Sequence, residues 1–201
     1  VARTGRRPGN QDTRESILAA AREAFAQRGY DGGSIRAIAA AAGVDPALVL
    51  HYFGSKDKLF LACLEVPLDP GEFLPAALAG DVDGLGERLV RTFLSVWDSS
   101  VGGTIAAILR SAVAHDWSAR MLREFVTAQI LRRVMRSVDA DPAEAPLRAS
   151  LVASQMIGLA MIRYIVRIEP LASAPPEVVV AAIAPNVQRY LTGALPAAAK
   201  V

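Results

Sequence analysis

The 201-residue sequence predicts an all-α fold, and three observations predict it. Apolar residues make up 52% of the chain but aromatics only 6%, with Ala and Leu abundant, a mix that favours helices over sheets. Apolar side chains recur at helical spacing from Ile17 to Leu191. Gly, Pro, Ser and Asp interrupt the pattern where helices need caps. No block repeats at a fixed period, which argues against a solenoid. At this length the chain forms one compact domain or a small domain beside a larger one.

Residues 1–11 carry Arg3, Arg6 and Arg7 among Gly and Pro, have no apolar period, and read as an unfolded basic arm. The first helix opens with a near capping box, Asp12 with Glu15, carries Ile17, Leu18, Ala21, Ala24 and Phe25 on one face, and ends at Gly29. A second helix spans Ile35 to Ala42 behind the N-cap Ser34. Gly43 supplies a left-handed turn, Asp45 caps a third helix, and Pro46 sits at its first position, where a missing N–H is harmless. Ile38, Ala39, Val49 and Phe53 face inward, while Pro46, Ala47, Leu48, His51 and Tyr52 are left outside. An outer face with no Glu or Lys, but with a His, a Tyr and small apolar groups, suits the floor of a DNA major groove.

The run from Gly29 to Leu59, GYDGGSIRAIAAAAGVDPALVLHYFGSKDKL, resembles the DNA-binding region of TetR/AcrR-type transcriptional regulators. The Gly-Tyr turn, the Ser-capped Ile-Arg-x-Ile-Ala helix, the Gly-Val turn, the His-Tyr-Phe end of the third helix and the Ser-Lys-x-x-Leu start of the fourth all stand in order. The resemblance is close over the first third of the chain; beyond it length and helical pattern match, and the last two helices resemble an actinobacterial branch. It implies a three-helix helix-turn-helix domain, residues 12–58, and a larger helical ligand-binding and dimerisation domain, residues 59–201. DNA contacts are then expected from Ser34 and Arg36, from Pro46, Ala47, Leu48 and His51 on the recognition helix, and from Tyr52 and Lys56 toward phosphate. Two positions depart from the family pattern. Leu50 stands where a phosphate-binding tyrosine is usual, and Ala37 where an acidic residue is usual. The basic arm is either a DNA-tracking extension or a solvated tail.

Charge is uneven. Net charge is +2 overall, but residues 1–58 hold nine Lys/Arg against six Asp/Glu, or +3, leaving 13 against 14, or −1, for the rest. The single cysteine, Cys63, rules out an intrachain disulfide and a Cys-rich zinc site, and suits a reducing cytoplasm. No export signal is seen, and the greasiest stretch, Leu151 to Ile168, is broken by Gln155, Arg163 and Arg167, so no membrane span is expected.

A fourth helix starts at Ser55, carries Leu59, Phe60, Cys63 and Leu64 inward, and stops at Pro67. The Pro/Gly/Asp-rich segment from Pro67 to Asp83 reads as a linker with a short helical turn at Phe73 and Leu74. Helical spacing resumes through Leu85, Leu89, Phe93 and Trp97, then Ile105, Ile108 and Leu109, then a longer helix from Ser118, before a loop from Asp139 to Pro146. Phe93, Trp97, Trp117, Met121, Phe125 and Met156 are large adaptable side chains on converging helices. By pattern they fit a plain core as well as a cavity; the resemblance implies a cavity for a small apolar effector, with Arg110, Gln155 and Arg163 to orient it.

The last two helices, near Pro146 to Ile168 and Pro176 to Thr192, are apolar on more than one face and must bury two sides. They are expected to pair with a second copy in a four-helix bundle, through Leu151, Gln155, Gly158, Ile162, Val179, Ile183 and Val187. No enzyme is expected: His51 and His115 lack metal-ligand spacing, and phosphate-binding and nucleophile-elbow motifs are missing. No cofactor is implied. The reading is a homodimeric repressor of a palindromic double-stranded DNA operator, released by a small apolar effector; the alternative is a ligand-independent architectural DNA-binding dimer.

Overall fold

The computed structural model describes residues 10–65 and 69–195, and within them every regular element is helical. The fold class is as expected. Most of the basic arm, the stop at Pro67 and the end of the Ala-rich C-terminal stretch lie outside the described residues; Asn10 and Gln11 of the arm belong to the first helix.

Four helices build the N-terminal unit: α1 (Asn10–Gly32), α2 (Ile35–Ala42), α3 (Pro46–Phe53) and α4 (Lys56–Leu64). Helix α1 breaks at Gly29 (φ 69°, ψ 178°), then adds a short turn to Gly32. The caps are those the sequence calls for. Ser34 Oγ accepts from Ala37 N, Asp45 Oδ1 from Ala47 N, and Ser55 Oγ from Lys58 N. Gly43 takes φ 69°, the left-handed conformation that lets α2 turn at once into α3. Ile17, Ala21, Phe25, Ile38, Val49, Leu59 and Phe60 close this unit's core, and Met121 and Phe125 from a later helix complete it. The expected boundary at residue 58 therefore cuts through α4, whose Leu59 to Cys63 belong to that core.

The expected linker is a helix. α5 (Pro70–Leu78) is capped by Asp69, which accepts from Gly71 N, and buries Leu74 and Ala77. The Pro/Gly-rich composition hid it: Pro70 sits in the first turn, where proline favours a helix, and Pro75 is tolerated in a helix of nine residues. A 3₁₀ turn (Val82–Gly84) leads into α6 (Leu85–Trp97), and α7 (Gly102–Ala114) follows. The longer helix begins two residues before the expected Ser118. It comprises α8 (Asp116–Glu124), a π-helical segment Phe125–Leu131 and α9 (Arg132–Ser137). The loop after it ends two residues early, at Glu144, since α10 (Ala145–Ala160) starts before Pro146 and runs on as a π-helical segment Met161–Val166. The last helix, α11 (Pro176–Thr192), packs along α6 and α10. At the α6 crossing Gly86 is required: a Cβ there would lie 2.7 Å from Gln188 N and 2.8 Å from Ala184 O.

Two of the residues assigned to a partner face elsewhere. Val179 and Val187 are 1% and 0% exposed, part of the core this chain builds for itself. The outward stripe of α11 is Val178, Ala181, Ala182 and Pro185. Leu151, Gln155, Ile162 and Ile183 are half-buried and Gly158 is exposed. By length and composition Ala145–Val166 is apolar enough to cross a membrane. Its two buried arginines are nonetheless spent on this chain: Arg148 donates to the carbonyls of Tyr190 and Leu191, and Arg163 to those of Leu171 and Ala174.

Candidate nucleic-acid interface and ligand cavity

Helix α3 divides cleanly. Val49 and Phe53 are buried, while Ala47, Leu50 and His51 are exposed and Pro46, Leu48 and Tyr52 half-exposed. The His51 and Tyr52 rings meet edge-on at 5.8 Å. Ser34, the N-cap of α2, and Arg36 in its first turn are both exposed. These groups supply a histidine, a guanidinium and a set of methyl surfaces, the chemistry that reads base edges and thymine methyls. Leu50, 45% exposed, is an apolar group on the outside of α3 that the sequence list omitted. Its signal was the substitution itself, a leucine in place of the family's tyrosine.

Lys56 is placed differently from the rest. Its Nζ lies 4.5 Å over the Tyr30 ring and donates to the Asp31 carbonyl, and burial holds its pKa below the usual lysine range. In this position it belongs to a polar seam joining α1 and α4 to the helices behind them. Tyr30 N donates to Glu124 Oε2 at 2.9 Å, and the Tyr30 hydroxyl donates to Asp57 Oδ1. Gln129 Nε2 also donates to Asp57 Oδ1, and Arg133 Nη2 reaches Gln129 Oε1. Arg132 grips both carboxylate oxygens of Asp31 at 3.1 and 2.8 Å, which holds that carboxyl below its ordinary range. Cys63 sits near this unit as a core residue. It is 2% exposed, and burial pushes its thiol up to about 12.

Behind the seam lies a cavity of about 190 Å³. Its wall comes from the end of α4 (Leu64), from α5, α6 and α7, from Leu122 of α8, the π-helical segment Phe125–Leu131 and Val134 of α9, and from α10. Of the expected ligand-binding residues, Phe93, Trp97, Phe125 and Met156 line it. Trp97 contacts Phe93 at 5.7 Å and stacks on Tyr164 at 5.0 Å, which fixes its indole.

The other five lie elsewhere. Met121 is fully buried in the N-terminal core, because it points from α8 toward α1 and α4 rather than into the cavity. Trp117 is 36% exposed and borders a separate depression with Arg22, Cys63 and Ser111. Arg110 is exposed on α7 and Gln155 half-buried on α10, both outside the wall. Arg163 closes the loop before α11. The sequence list missed the aliphatic wall, Leu89, Val96, Ile105, Ile108, Val126 and Ile130 among others, since nothing in a Leu/Ile/Val pattern separates cavity from core. Among the described residues no group of three His, Cys, Asp or Glu is placed to hold a metal.

Fold and site together define a helix-turn-helix transcriptional regulator. Residues 17–63 match the family model of bacterial regulatory proteins of the tetR family, and residues 83–191 match the tetracyclin repressor-like C-terminal domain. The chain belongs to the TetR family, whose members are regulators rather than enzymes.

It is 44% identical over 59 residues to the transcriptional repressor AcnR of Corynebacterium efficiens, covering 29% of this chain and 30% of that one. It is 42% identical over 97 residues to the repressor NicS of Pseudomonas putida, covering 48% and 46%. The chain thus spans about a third to a half of the length of these curated relatives. Against a solved TetR-family regulator from Streptomyces coelicolor A3 it is 42% identical, covering 93% of this chain and 98% of that one with a TM-score of 0.46.

Proposed function

We propose that this chain is a repressor that binds a palindromic operator as a homodimer and releases it when a small apolar effector enters the cavity. One observation carries the reading: α4 begins at Lys56, two residues after the recognition helix α3 ends with its cap at Gly54, and ends at Leu64 in the cavity wall. A molecule that displaces Leu64 tilts the nine-residue helix on which the reading unit is mounted. Within the N-terminal unit, residues 12–58 read DNA through Ser34, Arg36, Pro46, Ala47, Leu48, His51 and Tyr52, with Lys56 free to join them. Residues 59–201 hold the effector and the partner copy.

Dimerisation is assigned to α10 and α11. The support is an outward apolar surface, with Ile157 38% and Val178 57% exposed, and open space over Gly158 into which a second helix fits. Two recognition helices then enter successive major grooves about 34–36 Å apart. Effector and DNA are linked negatively, so bound operator weakens effector by the same factor that effector weakens operator. The site of action is the cytoplasm, where the operator is.

The test is selection from a random-sequence DNA pool at two salt concentrations. An enriched inverted repeat bound with a steep salt dependence is the expected result. Binding that persists with no enriched sequence overturns the operator reading in favour of an architectural DNA-binding dimer.

A further inference from the structure

We infer that the cavity takes an uncharged molecule of one aromatic ring, or an aliphatic of the same bulk, carrying a single hydrogen-bond acceptor that meets the α6 wall. The inference rests on the reading of this cavity as the effector site and narrows it to a chemical class. Three observations carry it.

The first is charge. None of the residues lining the cavity is ionisable, and the three polar groups the sequence suggested, Arg110, Gln155 and Arg163, all lie outside it. Arg163 is the nearest in character, but its guanidinium is buried elsewhere and committed to two backbone carbonyls at 2.7 and 2.8 Å. A carboxylate or ammonium entering this site loses its hydration and gains no counter-charge, a penalty of several kcal/mol that neutral molecules escape.

The second is size. A dry apolar cavity of roughly 150 Å³ is large enough for benzene. At about 190 Å³ this one has room for a substituted single ring.

The third is polarity. In a wall otherwise built of aliphatic and aromatic carbon and the Met156 sulfur, hydrogen-bonding side chains come from α6: the Thr92 hydroxyl and the Trp97 indole N–H. Both can donate. Trp97 is held by its stack on Tyr164, so its position does not adapt to the guest. A wall of this kind discriminates by orientation: an acceptor oxygen is satisfied at α6, while a second polar group elsewhere on the guest faces carbon only. Thr92 is therefore a specificity-determining residue.

The experiment is calorimetric titration of the full chain with acetophenone (neutral, one ring, one acceptor), toluene (no acceptor), benzoate and benzylammonium (the same bulk, charged) and decanoate (long and charged). The same five probes are then tested for release of the selected operator. Acetophenone is expected to bind about three- to tenfold more tightly than toluene, the value of one net hydrogen bond. Benzoate and benzylammonium are expected to bind at least about 100-fold more weakly than acetophenone. In Thr92→Val the acetophenone preference over toluene shrinks to about twofold or less while toluene affinity is kept, a pattern that loss of folding does not produce. Trp97→Phe, a second variant, lowers affinity for both.

Equal or tighter binding of benzoate, benzylammonium or decanoate overturns the inference and leaves the effector reading standing. An acetophenone preference unchanged in Thr92→Val overturns the role of Thr92, and one unchanged in both Thr92→Val and Trp97→Phe overturns the α6 acceptor site. Absence of binding by acetophenone and toluene alike overturns the ligand class. Acetophenone binding that leaves operator affinity untouched upholds the ligand class and overturns the effector reading.

Discussion

Gln129 and Asp57 meet across the seam between the DNA-reading helices and the cavity helices, with Gln129 Nε2 donating to Asp57 Oδ1 at 3.3 Å. Gln129 is 2% exposed, whereas Phe125, Val126 and Ile130 of the same π-helical segment line the cavity. One segment therefore has a polar side on the reading unit and an apolar side on the ligand site. Widened helical turns of this kind recur at functional sites because they let neighbouring residues face in directions a regular α-helix does not offer.

Gln129→Met keeps the bulk of the side chain but removes its bond to Asp57 and the acceptor used by Arg133. Asp57 keeps the Tyr30 hydroxyl and Arg133, and Arg133 keeps Asp57, so the cost is that of the lost hydrogen bonds, about 0.5–1.5 kcal/mol each. Urea denaturation is expected to show a lower midpoint with an unchanged slope. Operator affinity is expected to fall in the folded variant as well, because the seam sets how the reading unit is held. Parent-like affinity in a folded Gln129→Met protein assigns the seam to stability alone.

The reading face separates two kinds of contact. His51 is exposed at the centre of the outer face of α3, so His51→Ala is expected to cost about 1–3 kcal/mol against the selected operator and to relax preference at one base position in each half-site. Arg36→Ala, if its guanidinium lies on phosphate, weakens binding to every sequence alike and lowers the salt slope by about 1. Competition binding against single-base operator variants at two salt concentrations distinguishes the two. Equal loss across all variants for His51→Ala removes it from the base-reading set.

The reading helices were legible from sequence because their signals are local. Ser34, Gly43, Asp45 and Pro46 each do one thing at one backbone position, and each does it in the structure. The cavity was half legible. Phe93, Trp97, Phe125 and Met156 announce themselves by size, but Met121 and Trp117 have the same signature and point elsewhere, because they sit on α8, which lays them against α1 and α4, and no side-chain pattern along one helix says which neighbour it packs on. The polar candidates failed for a related reason. Arg163 is buried, yet its partners are carbonyls at Leu171 and Ala174, and loop carbonyls leave no trace in a side-chain pattern. Helix α5 was misread because proline and glycine signal breaks only when their place relative to a cap is unknown; Asp69 supplies that cap.

Asp31 offers a pH test. The Arg132 fork lowers its carboxyl below the ordinary 3.8, so the pair's contribution is present above that value and is lost as pH falls through the lower, folded value. Both side chains are substantially exposed, 47% and 70%, which limits the contribution to about 0–1 kcal/mol. Thermal melts of Asp31→Asn are expected to lie slightly below the parent at pH 7 and to converge with it once the pH is well below 3.8. The difference at pH 7 shrinks in 1 M salt, where the Debye length is about 3 Å. A gap that persists at low pH shows that the substitution acts through packing rather than through the ion pair.

The crossing of α6 and α11 leaves no room for a side chain at Gly86 of α6. A Cβ at Gly86 would stand 2.7 Å from Gln188 N and 2.8 Å from Ala184 O, both backbone atoms of α11, and neither can step aside as a side-chain end can. The Gly86 amide also donates to Gln188 Oε1 at 2.7 Å, so separating the helices breaks a hydrogen bond as well. Gly86→Ala is therefore expected to destabilise by about 1–3 kcal/mol despite alanine's better helix propensity. For a chain of this length that is a fall of about 2–4 °C in Tm for each kcal/mol. Gly103, on α7, is the control: a Cβ there meets nothing within 4 Å. Gly103→Ala is expected to raise stability by up to about 1 kcal/mol through the unfolded chain's lost freedom. Differential scanning calorimetry of the two variants checks the pair, and a Gly86→Ala protein at least as stable as the parent refutes the close crossing.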